Sequence, residues 1–522
     1  MTGTDAPTVP PAPPATLWTL LRRRADTDGD GVLIRARDGD LTSVGLAARA
    51  TTLSAGFAAL GVVRGDTVAV LAENRREHFE LAFALNRIGA VYAPVNPLYR
   101  GELVQNVLDT LRPAVVVLDA ACRDLVEPYL DRADRWVALD PEAADGLPGR
   151  VVHYADLVAA DAPVPAEVTD HRKGAVVLFT SGTTGPSKGV AMSDRFCVEY
   201  ATANALARGL GPGDVVYSCF AFCHASPIGY SLVPALVSGA SMAWAPRFSA
   251  SGFWSDVSDL GVTQFAAFSA TVLMLLARPE ADTDATHGAT VCFAVGAPRG
   301  EEFARRFGVR IVEGYGLSEC GALAYDWTPV PGWTVAVVDA DDEPLPAGAT
   351  GEIVARPQRP GLLMDGYVGR PAETLATFRN LWFHTGDSGY LDDDGRLHFV
   401  GRTKDAIRHR GENISAWEVE RAVLATGLVH DCAAYPLPSA GLGEDDVAVA
   451  VVAAPGFDPA ELIAALVPRL PRYALPGFVR TMTDLPRTPT GKVRKHELRL
   501  AGRTPDTWQP PATDHRNGRR VP

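Results

Sequence analysis

The sequence predicts an α/β fold: a large N-terminal domain of parallel-rich sheets with helices, followed by a small α+β C-terminal domain. Three observations predict this arrangement. The 522 residues are too many for one compact core, since domains usually hold roughly 100–200 residues. Short apolar runs alternate with helical patterns along most of the chain. Beyond about residue 334, strands joined by turns replace that alternation.

The alternation is clearest near the N-terminus. TVAVL at Thr67–Leu71 and AVVVL at residues 114–118 are uninterrupted apolar runs, typical of strands that are buried on both faces. Residues 77–88 and Glu102–Leu111 have the spacing of amphipathic helices. Strands that alternate with helices predict a parallel sheet with helices on its faces.

The small domain is predicted from the elements near the C-terminus. After strands within residues 334–355 and at 396–402, these are a helix at Ala416–Leu424, a strand at 446–453 and a helix at 459–469. Proline-rich composition predicts disorder at both ends of the chain. The expected limits are therefore a disordered arm at 1–15, a large domain at 16–402, a small domain at 403–501 and a disordered tail at 502–522.

Composition excludes some functions. The formal net charge is −13, which argues against a general nucleic-acid binder, because no Lys/Arg cluster is available for a phosphate backbone. A small anionic ligand needs only a few aimed donors and stays compatible. Seven widely spaced cysteines favour a reducing cytoplasm over a disulfide framework. We expect no signal peptide and no membrane span, since no run approaches ~20 apolar residues.

The strongest local signal is LFTSGTTGPSKGV at residues 178–190. An apolar strand runs directly into a loop whose glycines can turn backbone N–H groups inward as an anion nest. Hydroxyls add donors and Lys188 adds a positive charge. It is not a Walker A loop, because Ser187 precedes Lys188. A flexible hydroxyl-rich turn is the alternative. The candidate phosphate-binding residues are Thr180, Ser181, Gly182, Thr183, Thr184, Gly185 and Lys188.

Further segments follow in a fixed order: VGAP at 295–298, EGYGLSE at 313–319, WFHTGDSGYLDDDG at 382–395, the charged stretch from 401 to 420 and PRTPTGKVRK at 486–495. Together with the loop, they resemble the signature of the adenylate-forming superfamily, which includes acyl-CoA synthetases, luciferases and peptide-synthetase adenylation domains. The resemblance covers nearly the whole chain, from about residue 17 to 500. The order and spacing are most similar to bacterial acyl-CoA ligases of the carnitine-CoA ligase type.

The resemblance implies roles for the large domain. Glu319 would bind Mg²⁺, and Ser318 would keep the hydroxyl that the family's threonine offers to the α-phosphate. Tyr315 would stack on adenine, and Asp387 would accept both ribose hydroxyls with support from Arg402. The other nucleotide-side residues would be Gly296, Ala297, Pro298, Gly314 and Gly316. The alternatives are a solvated glutamate, a core aromatic and an aspartate that merely caps a turn.

The resemblance also implies a mobile small domain. Lys492 would stabilise the transition state of adenylation, and rotation about a hinge at Lys404 would then replace it with the loop at residues 408–413. In that loop, Gly411 would line a narrow tunnel for the pantetheine arm of CoA, next to Arg410. His224 would lie at the mouth of the acyl pocket, although a buried structural histidine is an equal alternative.

The predicted acyl pocket is apolar or small in character and contains no acid. Its expected members are Phe222, Ala225, Ser226, Phe265, Phe268, Val295, Gly296, Gly314 and Cys320. Adenylation domains for amino acids use an aspartate to hold the α-amine, and this chain has none there. Neither does a carrier domain follow, so amino-acid activation is not expected.

Two features depart from the family pattern. The stretch from Cys320 to Val335 is shortened and lacks the Gly-Ser-Val-Gly turn that usually follows the metal-binding glutamate. We expect this loss to loosen the support of Glu319. Arg410 stands where Gly, Ser or Lys is more usual, so its charge would attract CoA phosphates or hinder closure.

The sequence therefore predicts an ATP-dependent acid–thiol ligase, an AMP-forming acyl-CoA synthetase. It would use ATP, Mg²⁺ and CoA to convert a hydrophobic carboxylic acid into an acyl adenylate and then a thioester. Three alternatives stay open: thioesterification alone on a supplied adenylate, a stand-alone ligase that loads a carrier protein, and a silent adenylate-binding protein. The sequence leaves a homodimer open and does not name the acid, because an apolar pocket admits many acids.

Overall fold

The computed structural model describes residues 15–172, 174–180, 187–297, 300–402, 407–409, 412–414, 416–439, 444–486 and 493–510. The predicted disordered arm lies outside these ranges except for residue 15, and so does most of the predicted tail. Residues 507–508 of the predicted tail instead form a strand that pairs with residues 479–480, so disorder is wrong for that stretch. The other predictions of disorder and the predicted domain limits stay predictions.

Fifteen α-helices lie within the described residues. They are α1 (Leu17–Thr27), α2 (Ser43–Ala59), α3 (Glu77–Arg87), α4 (Glu102–Leu111), α5 (Arg123–Val126), α6 (Tyr154–Val158), α7 (Asp194–Arg208), α8 (Val233–Ser238), α9 (Phe253–Asp259), α10 (Ser269–Leu276), α11 (Gly300–Phe307), α12 (Pro371–Ala376), α13 (Ala416–Leu424), α14 (Pro459–Leu466) and α15 (Lys495–Ala501). In this part of the chain, none of the helices is long and apolar enough to cross a membrane.

The strands of the described residues, numbered along the chain, complete the inventory. They are β1 (Val32–Ala36), β2 (Leu41–Thr42), β3 (Thr67–Leu71), β4 (Val91–Val95), β5 (Val115–Leu118), β6 (Arg135–Ala138), β7 (Arg150–His153), β8 (Gly174–Thr180), β9 (Lys188–Ser193), β10 (Val215–Ser218), β11 (Ser241–Trp244), β12 (Gln264–Phe268), β13 (Val291–Val295), β14 (Arg310–Leu317), β15 (Gly321–Tyr325), β16 (Thr328–Pro329), β17 (Trp333–Val338), β18 (Gly351–Pro357), β19 (Gly366–Tyr367), β20 (Phe378–Arg379), β21 (Trp382–Leu391), β22 (Leu397–Arg402), β23 (Ile407–His409), β24 (Glu412–Ile414), β25 (Val429–Pro438), β26 (Asp445–Ala453), β27 (Phe478–Met482) and β28 (Thr507–Trp508).

Two large sheets form the framework of the N-terminal part. One has the strand order β19-β9-β8-β4-β3-β5-β6-β7, and its strands from β8 to β7 are parallel. The other has the order β16-β15-β14-β13-β12-β10-β11-β1-β2, with β14 through β1 parallel. A third sheet, β17-β18-β21-β20 with β22 paired to β21, is antiparallel along β17-β18-β21-β20. The prediction of parallel-rich sheets with helices is therefore confirmed.

The core forms where the helices cover these sheets. Helix α2 packs on α3, and the two helices bury Leu53, Phe57, Phe79 and Leu85 almost completely. Burial of large apolar side chains is the main favourable contribution to folding, worth about 1.5–3 kcal/mol for each such side chain. Helix α3 is buried almost all round, as expected for a helix enclosed by other elements.

The chain divides into two compact units. Within the described residues, the first comprises residues 15–97, Val107–Thr180 and Lys188–Gly401, and the second comprises Leu98–Asn106, Ser187 and the residues from Arg402 onward. The second unit contains the sheet β25-β26-β27-β28 and the two-stranded ribbon β23-β24. Helices α13 and α14 bury Val419, Val423, Leu462 and Leu466 in its core, so the predicted small α+β domain is confirmed.

Candidate functional site

The predicted phosphate loop connects two antiparallel strands, β8 and β9. Thr180 ends β8 and pairs with Lys188, which begins β9, so the loop leaves and returns at one point of the sheet edge. Ser181, Gly182, Thr183, Thr184 and Gly185 lie outside the described residues, and their role stays a prediction. Thr180 is half-buried, and the side chain of Lys188 is 18% exposed.

Lys188 is held by a carboxylate and an aromatic ring. Its Nζ lies 3.0 Å from Glu373 Oε2, while Arg370 bonds the other carboxylate oxygen at 2.9 Å. Burial alone would raise the pKa of Glu373, but hydrogen bonds from Lys188 and Arg370 outweigh it and lower the pKa. Lys188 Nζ also lies 4.6 Å from the centroid of the Tyr367 ring, a distance typical of a cation–π contact. Two protein contacts therefore hold the ammonium group in place.

Glu319, the predicted metal ligand, is buried at 9% exposure, and its carboxylate is oriented by Tyr367. The Tyr367 hydroxyl donates to Glu319 Oε1 over 2.9 Å. Burial, and next the negative charge of Glu319, raise the pKa of Tyr367, so its hydroxyl remains a donor at neutral pH. One face of the Tyr367 side chain thus meets Lys188 while its hydroxyl meets Glu319.

The short segment that carries Tyr367 is tied to both sides of the site by its backbone. Met364 N donates to the carbonyl of Glu319, and Val368 N donates to the carbonyl of Gly189, each over 2.8 Å. Strand β19 pairs with β9, with Tyr367 opposite Val190. Because two backbone hydrogen bonds and a strand pairing meet on this segment, it ties Glu319 to the strand that begins with Lys188.

A second pair of predicted site residues is in direct contact. The Tyr315 hydroxyl donates to Asp387 Oδ2 over 2.9 Å, although the two residues are 72 positions apart. Burial, and next the charge of Asp387, raise the pKa of Tyr315. Asp387 is 4% exposed, and its backbone N–H donates to Thr385 Oγ1. The centroid of the Tyr315 ring lies 5.7 Å from that of the Phe399 ring. The adenine-stacking role of Tyr315 stays a prediction.

The backbone around Tyr315 has little free space. A Cβ on Gly316 would lie 1.9 Å from the carbonyl oxygen of Gly321, and a Cβ on Gly314 would lie 2.6 Å from the Phe293 ring. Gly296 has φ +74, a left-handed conformation that favours glycine. Ala297 N donates to Glu313 Oε1, which links the end of β13 to β14. These contacts hold two predicted adenine-side segments together.

The shortened stretch after Glu319 forms a tight hairpin. Strands β15 and β16 are joined through Asp326 and Trp327, both with positive φ, as two-residue hairpin turns require. The Asp326 carboxylate accepts from Glu313 N over 2.8 Å. We expected Glu319 to lose support here. In the structure, the support of its carboxylate comes from Tyr367 and that of its carbonyl from Met364.

The predicted acyl-side residues divide between two faces of the β12 strand. Phe265 packs on Phe253, Trp254 and Phe303, on the face turned away from α7, so this side chain is core rather than pocket wall. Strand geometry explains the error, because neighbouring residues point to opposite faces. Phe268 instead packs edge-on against Phe220 at 4.8 Å.

His224 lies just before a π-helical turn at Pro227–Leu232. Such turns are rare and frequently occur at functional sites. Its side chain is half-buried, and its backbone N–H donates to the Ala221 carbonyl. The position agrees with either alternative, a residue at the pocket mouth or a structural histidine, so the role of His224 stays a prediction.

Several predicted residues cannot be placed. Pro298, Lys404, Arg410, Gly411 and Lys492 lie outside the described residues. Arg402 closes β22, and Ser318 is half-buried beside Glu319. Within the second unit, the backbone N–H and hydroxyl of Ser187 both donate to Glu418 Oε1, at 2.6 and 2.5 Å.

Sequence reasoning missed Tyr367 and Glu373, the two side chains that hold Glu319 and Lys188. The sequence feature that could have indicated them is the segment GYVGRPAET at residues 366–374. It contains Tyr367, a proline that begins a helix and the acidic residue Glu373. Nothing in that segment indicates which distant groups it contacts. Among the described residues, no group of three or more His, Cys, Asp or Glu side chains could hold a metal ion.

Comparison with known proteins identifies two family models along the chain. Residues 21–368 match the AMP-binding enzyme model, and residues 418–492 match the AMP-binding enzyme C-terminal domain. A sulfoacetate–CoA ligase from Cupriavidus necator is 32% identical over 88% of this chain and 92% of the relative. A crotonobetaine/carnitine–CoA ligase from Salmonella agona is 28% identical over 85% of this chain and 90% of the relative.

The overall fold is also similar to a solved structure. An o-succinylbenzoate CoA synthetase from Bacillus subtilis, solved with a product analogue, superposes with a TM-score of 0.81 over 95% of this chain and 99% of that one. The sequence identity is 22%, so this likeness supports the fold alone.

Proposed function

Because this chain belongs to the AMP-binding enzyme family and is an ATP-dependent, AMP-forming acid–CoA ligase, we propose that it activates a carboxylic acid with a largely apolar chain. The acid reacts with ATP to give an acyl adenylate and pyrophosphate. The thiol of CoA then displaces AMP and forms the thioester. The observation that carries this proposal is the fixed group of Lys188, Tyr367 and Glu319 at the edge of the phosphate-loop hairpin.

The first step requires two anions to meet. A carboxylate oxygen attacks the α-phosphorus of ATP, so positive charge must be aimed at the phosphate oxygens where negative charge develops. We assign this task to Lys188 in the large domain and to Lys492 in the small one. Lys188 is already desolvated and oriented by Glu373 and Tyr367, which reduces the reorganisation needed when ATP binds.

Asp387 and Tyr315 would bind the nucleoside. A buried carboxylate that already accepts one phenol hydrogen bond is held in a single orientation, as recognition of ribose hydroxyls requires. We propose that adenine lies against the Tyr315 ring and that the ribose hydroxyls donate to Asp387. Arg402, at the end of β22, would support the ribose or phosphate.

The residues fit a Mg²⁺ ion that arrives with ATP. Mg²⁺ is commonly held by one or two carboxylates together with substrate phosphates rather than by an all-protein cage. Glu319 offers one buried carboxylate, oriented by Tyr367, and the described residues contain no larger ligand cluster. Bound there, Mg²⁺ would supply positive charge to the phosphates. Glu319 would hold it, and Tyr367 would hold Glu319.

The second step would use a different position of the small domain. We propose that rotation near Lys404 withdraws Lys492 and brings the loop containing Arg410 and Gly411 to the site. The pantetheine arm would then pass Gly411, where a side chain would obstruct it. The thiol attacks a carbonyl that the adenylate has already activated, so this step needs neither Lys492 nor the metal.

The acyl chain would lie on the face of β12 and β13 that is covered by α7. Phe268, Phe220 and Val295 give this region an apolar character. Apolar surface removed from water contributes about 25 cal/mol per Å², so chain length would dominate affinity. We also propose a cytoplasmic location, because all seven cysteines are buried free thiols, the state that a reducing compartment preserves.

One experiment tests the proposal. The purified protein is given ATP, Mg²⁺, CoA and a panel of straight-chain, aromatic and polycyclic acids, and pyrophosphate release and thioester formation are measured separately. Both products should form with at least one acid, in equal amounts when CoA is present. Pyrophosphate release without any thioester would contradict the CoA step.

Two rival functions give distinct results in the same assay. A ligase that loads a carrier protein would release pyrophosphate, fail to saturate with CoA and transfer its acyl group to an added carrier. A protein limited to thioesterification would form thioester from synthetic acyl adenylate and release no pyrophosphate from the free acid. We favour the complete reaction because Tyr367 orients the Glu319 carboxylate by a hydrogen bond. This contact replaces the support that the shortened segment after Glu319 was expected to lose.

A further inference from the structure

Arg208, the last residue of α7, is a buried cation that the reaction described above does not use. The residue is 2% exposed. Its Nε donates to Gln264 Oε1 at 3.1 Å, and its Nη1 donates to Asn204 Oδ1 at 3.1 Å and to the Tyr230 carbonyl at 2.7 Å. The guanidinium also lies 5.7 Å from the centroid of the Phe293 ring.

No carboxylate of the described residues touches Arg208, although the charge of Asp214 acts on its pKa from a greater distance. All three acceptors are neutral, and among the described residues Arg208 forms no ion pair. Burial lowers its pKa to about 10, so the group remains a cation at neutral pH. Charged side chains are almost never fully buried unless they are paired, since desolvation of an unpaired charge is costly. An anion from outside the protein would remove this cost.

Three buried donor groups lie together at this place. Within the described part of the chain, Arg208 Nη2 makes no hydrogen bond, and Asn204 Nδ2 and the Tyr325 hydroxyl lie beside each other without a hydrogen bond of ordinary geometry. They are close to one another, because Asn204 accepts from Arg208 and both residues influence the pKa of Tyr325. Buried polar groups are normally satisfied, and an unmet donor costs about 1–3 kcal/mol. The cluster, Arg208–Asn204–Tyr325, therefore has the composition of a site that binds a hydrogen-bond acceptor.

The cluster lies beside Phe293, on the face of β13 where we place the acyl chain. Phe293 belongs to the same buried group as Val295, and a Cβ on Gly314 would touch its ring. Residues two apart on a strand share a face, with a separation of about 6.6 Å. Arg208 lies over the Phe293 ring, so it is about two residues nearer the start of β13 than Val295.

Aromatic side chains lie between these two levels. Tyr200 and Tyr325 are half-buried residues, and burial raises the pKa of each phenol. The Tyr200 ring packs edge-on against Tyr230 at 5.7 Å, and Tyr230 packs against Phe293 at 4.7 Å. A row of packed aromatic rings therefore connects Tyr200 with Phe293, the ring on which Arg208 lies.

We propose that Arg208, Asn204 and Tyr325 bind a second negatively charged group, a carboxylate or sulfonate, at the far end of the substrate's acyl chain. This inference rests on the proposed function and specifies its substrate class: an acid with an apolar middle and an anionic end. A carboxylate or sulfonate offers several acceptor oxygens, enough for all three unmet donors. An uncharged chain end would leave both the charge and the donors unmet.

The test compares acids that differ only at the far end. Straight-chain monocarboxylic acids of four to ten carbons are measured beside the dicarboxylic acids and the ω-sulfonated acids of equal length, with pyrophosphate release as the readout. At the optimal length, the wild-type protein should use the dianionic acid with at least tenfold higher kcat/KM than its monocarboxylic counterpart. The preference should disappear at lengths too short to reach Arg208.

Two variants connect that preference to the cluster. Arg208→Met keeps the length of the side chain and removes the charge, so kcat/KM for the dianionic acid should fall ten- to hundredfold, mostly through KM. Activity on the monocarboxylic acid should stay the same or rise. Tyr325→Phe removes one hydroxyl that makes no hydrogen bond of ordinary geometry, so it should fold normally and lower kcat/KM for the dianionic acid three- to tenfold.

A matched control is Arg306→Met. The Arg306 side chain is also buried, at 9% exposure, but it pairs with Asp284 on the other face of the sheet. This variant should lower activity on both acids equally or not at all. An equal loss on both acids in Arg208→Met and Tyr325→Phe would show that the cluster is only structural, and it would overturn the inference.

The outcomes separate this inference from the function on which it rests. Wild-type protein that prefers monocarboxylic acids at every length would overturn the anion subsite and leave the ligase function intact. Absence of pyrophosphate release with every acid would overturn the proposed function, and the inference with it.

Discussion

At the scale of single residues, Tyr367 has the most specific contacts. It supports Lys188 with its ring and Glu319 with its hydroxyl, so each interaction can be removed separately. Replacement by phenylalanine keeps the ring beneath the ammonium and deletes only the hydrogen bond to the carboxylate. The variant therefore isolates the orientation of Glu319 from the placement of Lys188.

We predict that Tyr367→Phe slows adenylation about tenfold to a hundredfold, since a hydrogen bond to a charged group contributes about 1.5–3 kcal/mol. Conversion of supplied acyl adenylate to thioester should not change. The measurement is pyrophosphate release against Mg²⁺ concentration, together with binding of Mn²⁺ and a non-hydrolysable ATP analogue followed by electron paramagnetic resonance. The binding of Mn²⁺ should weaken.

The control for this variant is Tyr154→Phe. It also removes a phenol hydroxyl that donates to a buried glutamate, Glu80, at a distance from the site. If the two variants lose adenylation equally, or if Mn²⁺ binding to Tyr367→Phe is unchanged, the positioning role is wrong.

Nucleotide binding gives a second prediction at this scale. Asp387→Ala and Lys188→Ala should each raise the KM for ATP at least tenfold, because one loses the ribose acceptor and the other a phosphate cation. The KM for ATP is measured at saturating acid and CoA. Asp394→Ala, in the exposed turn of the same segment, serves as the control and should retain the wild-type value. Unchanged ATP dependence in both site variants would exclude the assignment.

His78 gives a prediction for stability against pH. Burial lowers its pKa to about 4 from the ordinary 6.5. Its Nε2–H donates to the Glu73 carbonyl, and its Nδ1 accepts from the Tyr92 hydroxyl. The folded protein therefore keeps His78 neutral while the unfolded chain takes up a proton below pH 6.5. Its stabilising contribution is complete above that value and is lost as the pH falls towards 4.

Between pH 6.5 and 4, His78 should lower the free energy of unfolding by about 1.4 kcal/mol per pH unit. Urea unfolding of the wild type and of His78→Gln, followed from pH 7 to 4, measures this difference. The variant should be less stable at pH 7 and should have the shallower slope. His430→Gln, at an exposed position, should keep the wild-type slope. Parallel slopes for wild type and His78→Gln would contradict the role of burial.

At the scale of elements, the β14–β15 hairpin places Tyr315 and Glu319. Its strands approach so closely at Gly316 that a Cβ would lie 1.9 Å from a main-chain carbonyl. A backbone atom cannot turn away as the end of a side chain can. The hairpin therefore has to open to accept any residue larger than glycine.

We predict that Gly316→Ala destabilises the protein by about 1–3 kcal/mol, the usual cost of overpacking. It should also weaken binding of AMP, because Tyr315 and Glu319 would shift together. Thermal unfolding with and without AMP measures both effects. Gly213→Ala, where a Cβ meets nothing within 4 Å, is the control and should match the wild type. Equal unfolding temperatures for all three proteins would show that the hairpin accommodates the extra atom.

Many elements could be predicted from the sequence because their signal is local. Thr67–Leu71, Glu102–Leu111 and Ala416–Leu424 have the predicted bounds, since apolar runs and helical spacing report directly on burial. The helix expected at 459–469 ends at Leu466 instead. Helix ends depend on capping and packing, which the apolar spacing alone does not report.

The contacts of the site could not be predicted in the same way. Tyr367 lies 48 residues from Glu319, and Tyr315 lies 72 residues from Asp387, so these pairs form only when separate strands come together. Phe265 was predicted to line the acyl pocket but lies in the core. A continuous apolar strand has no alternation of apolar and polar residues that would show which face each side chain is on. Arg208 carried no signal at all, since an arginine at a helix end is ordinarily exposed.

At the scale of the whole molecule, the account assigns two chemical steps to one chain. Adenylation would need Lys492 together with Lys188 and Glu319. Thioester formation would need the loop with Arg410 and Gly411, and it starts from an activated carbonyl. The two steps should therefore respond differently to the loss of Lys492.

The most direct measurement of the central claim uses Lys492→Ala beside the wild type, each given either acid with ATP or synthetic acyl adenylate, always with CoA. The wild type should form thioester from both. Loss of a positioned charge contributes about 3–4 kcal/mol, so Lys492→Ala should form thioester from acid and ATP at least a hundredfold more slowly. From the supplied adenylate, its rate should remain close to that of the wild type. Wild-type thioester formation from the adenylate alone, or an equal loss of both reactions in Lys492→Ala, would contradict the account.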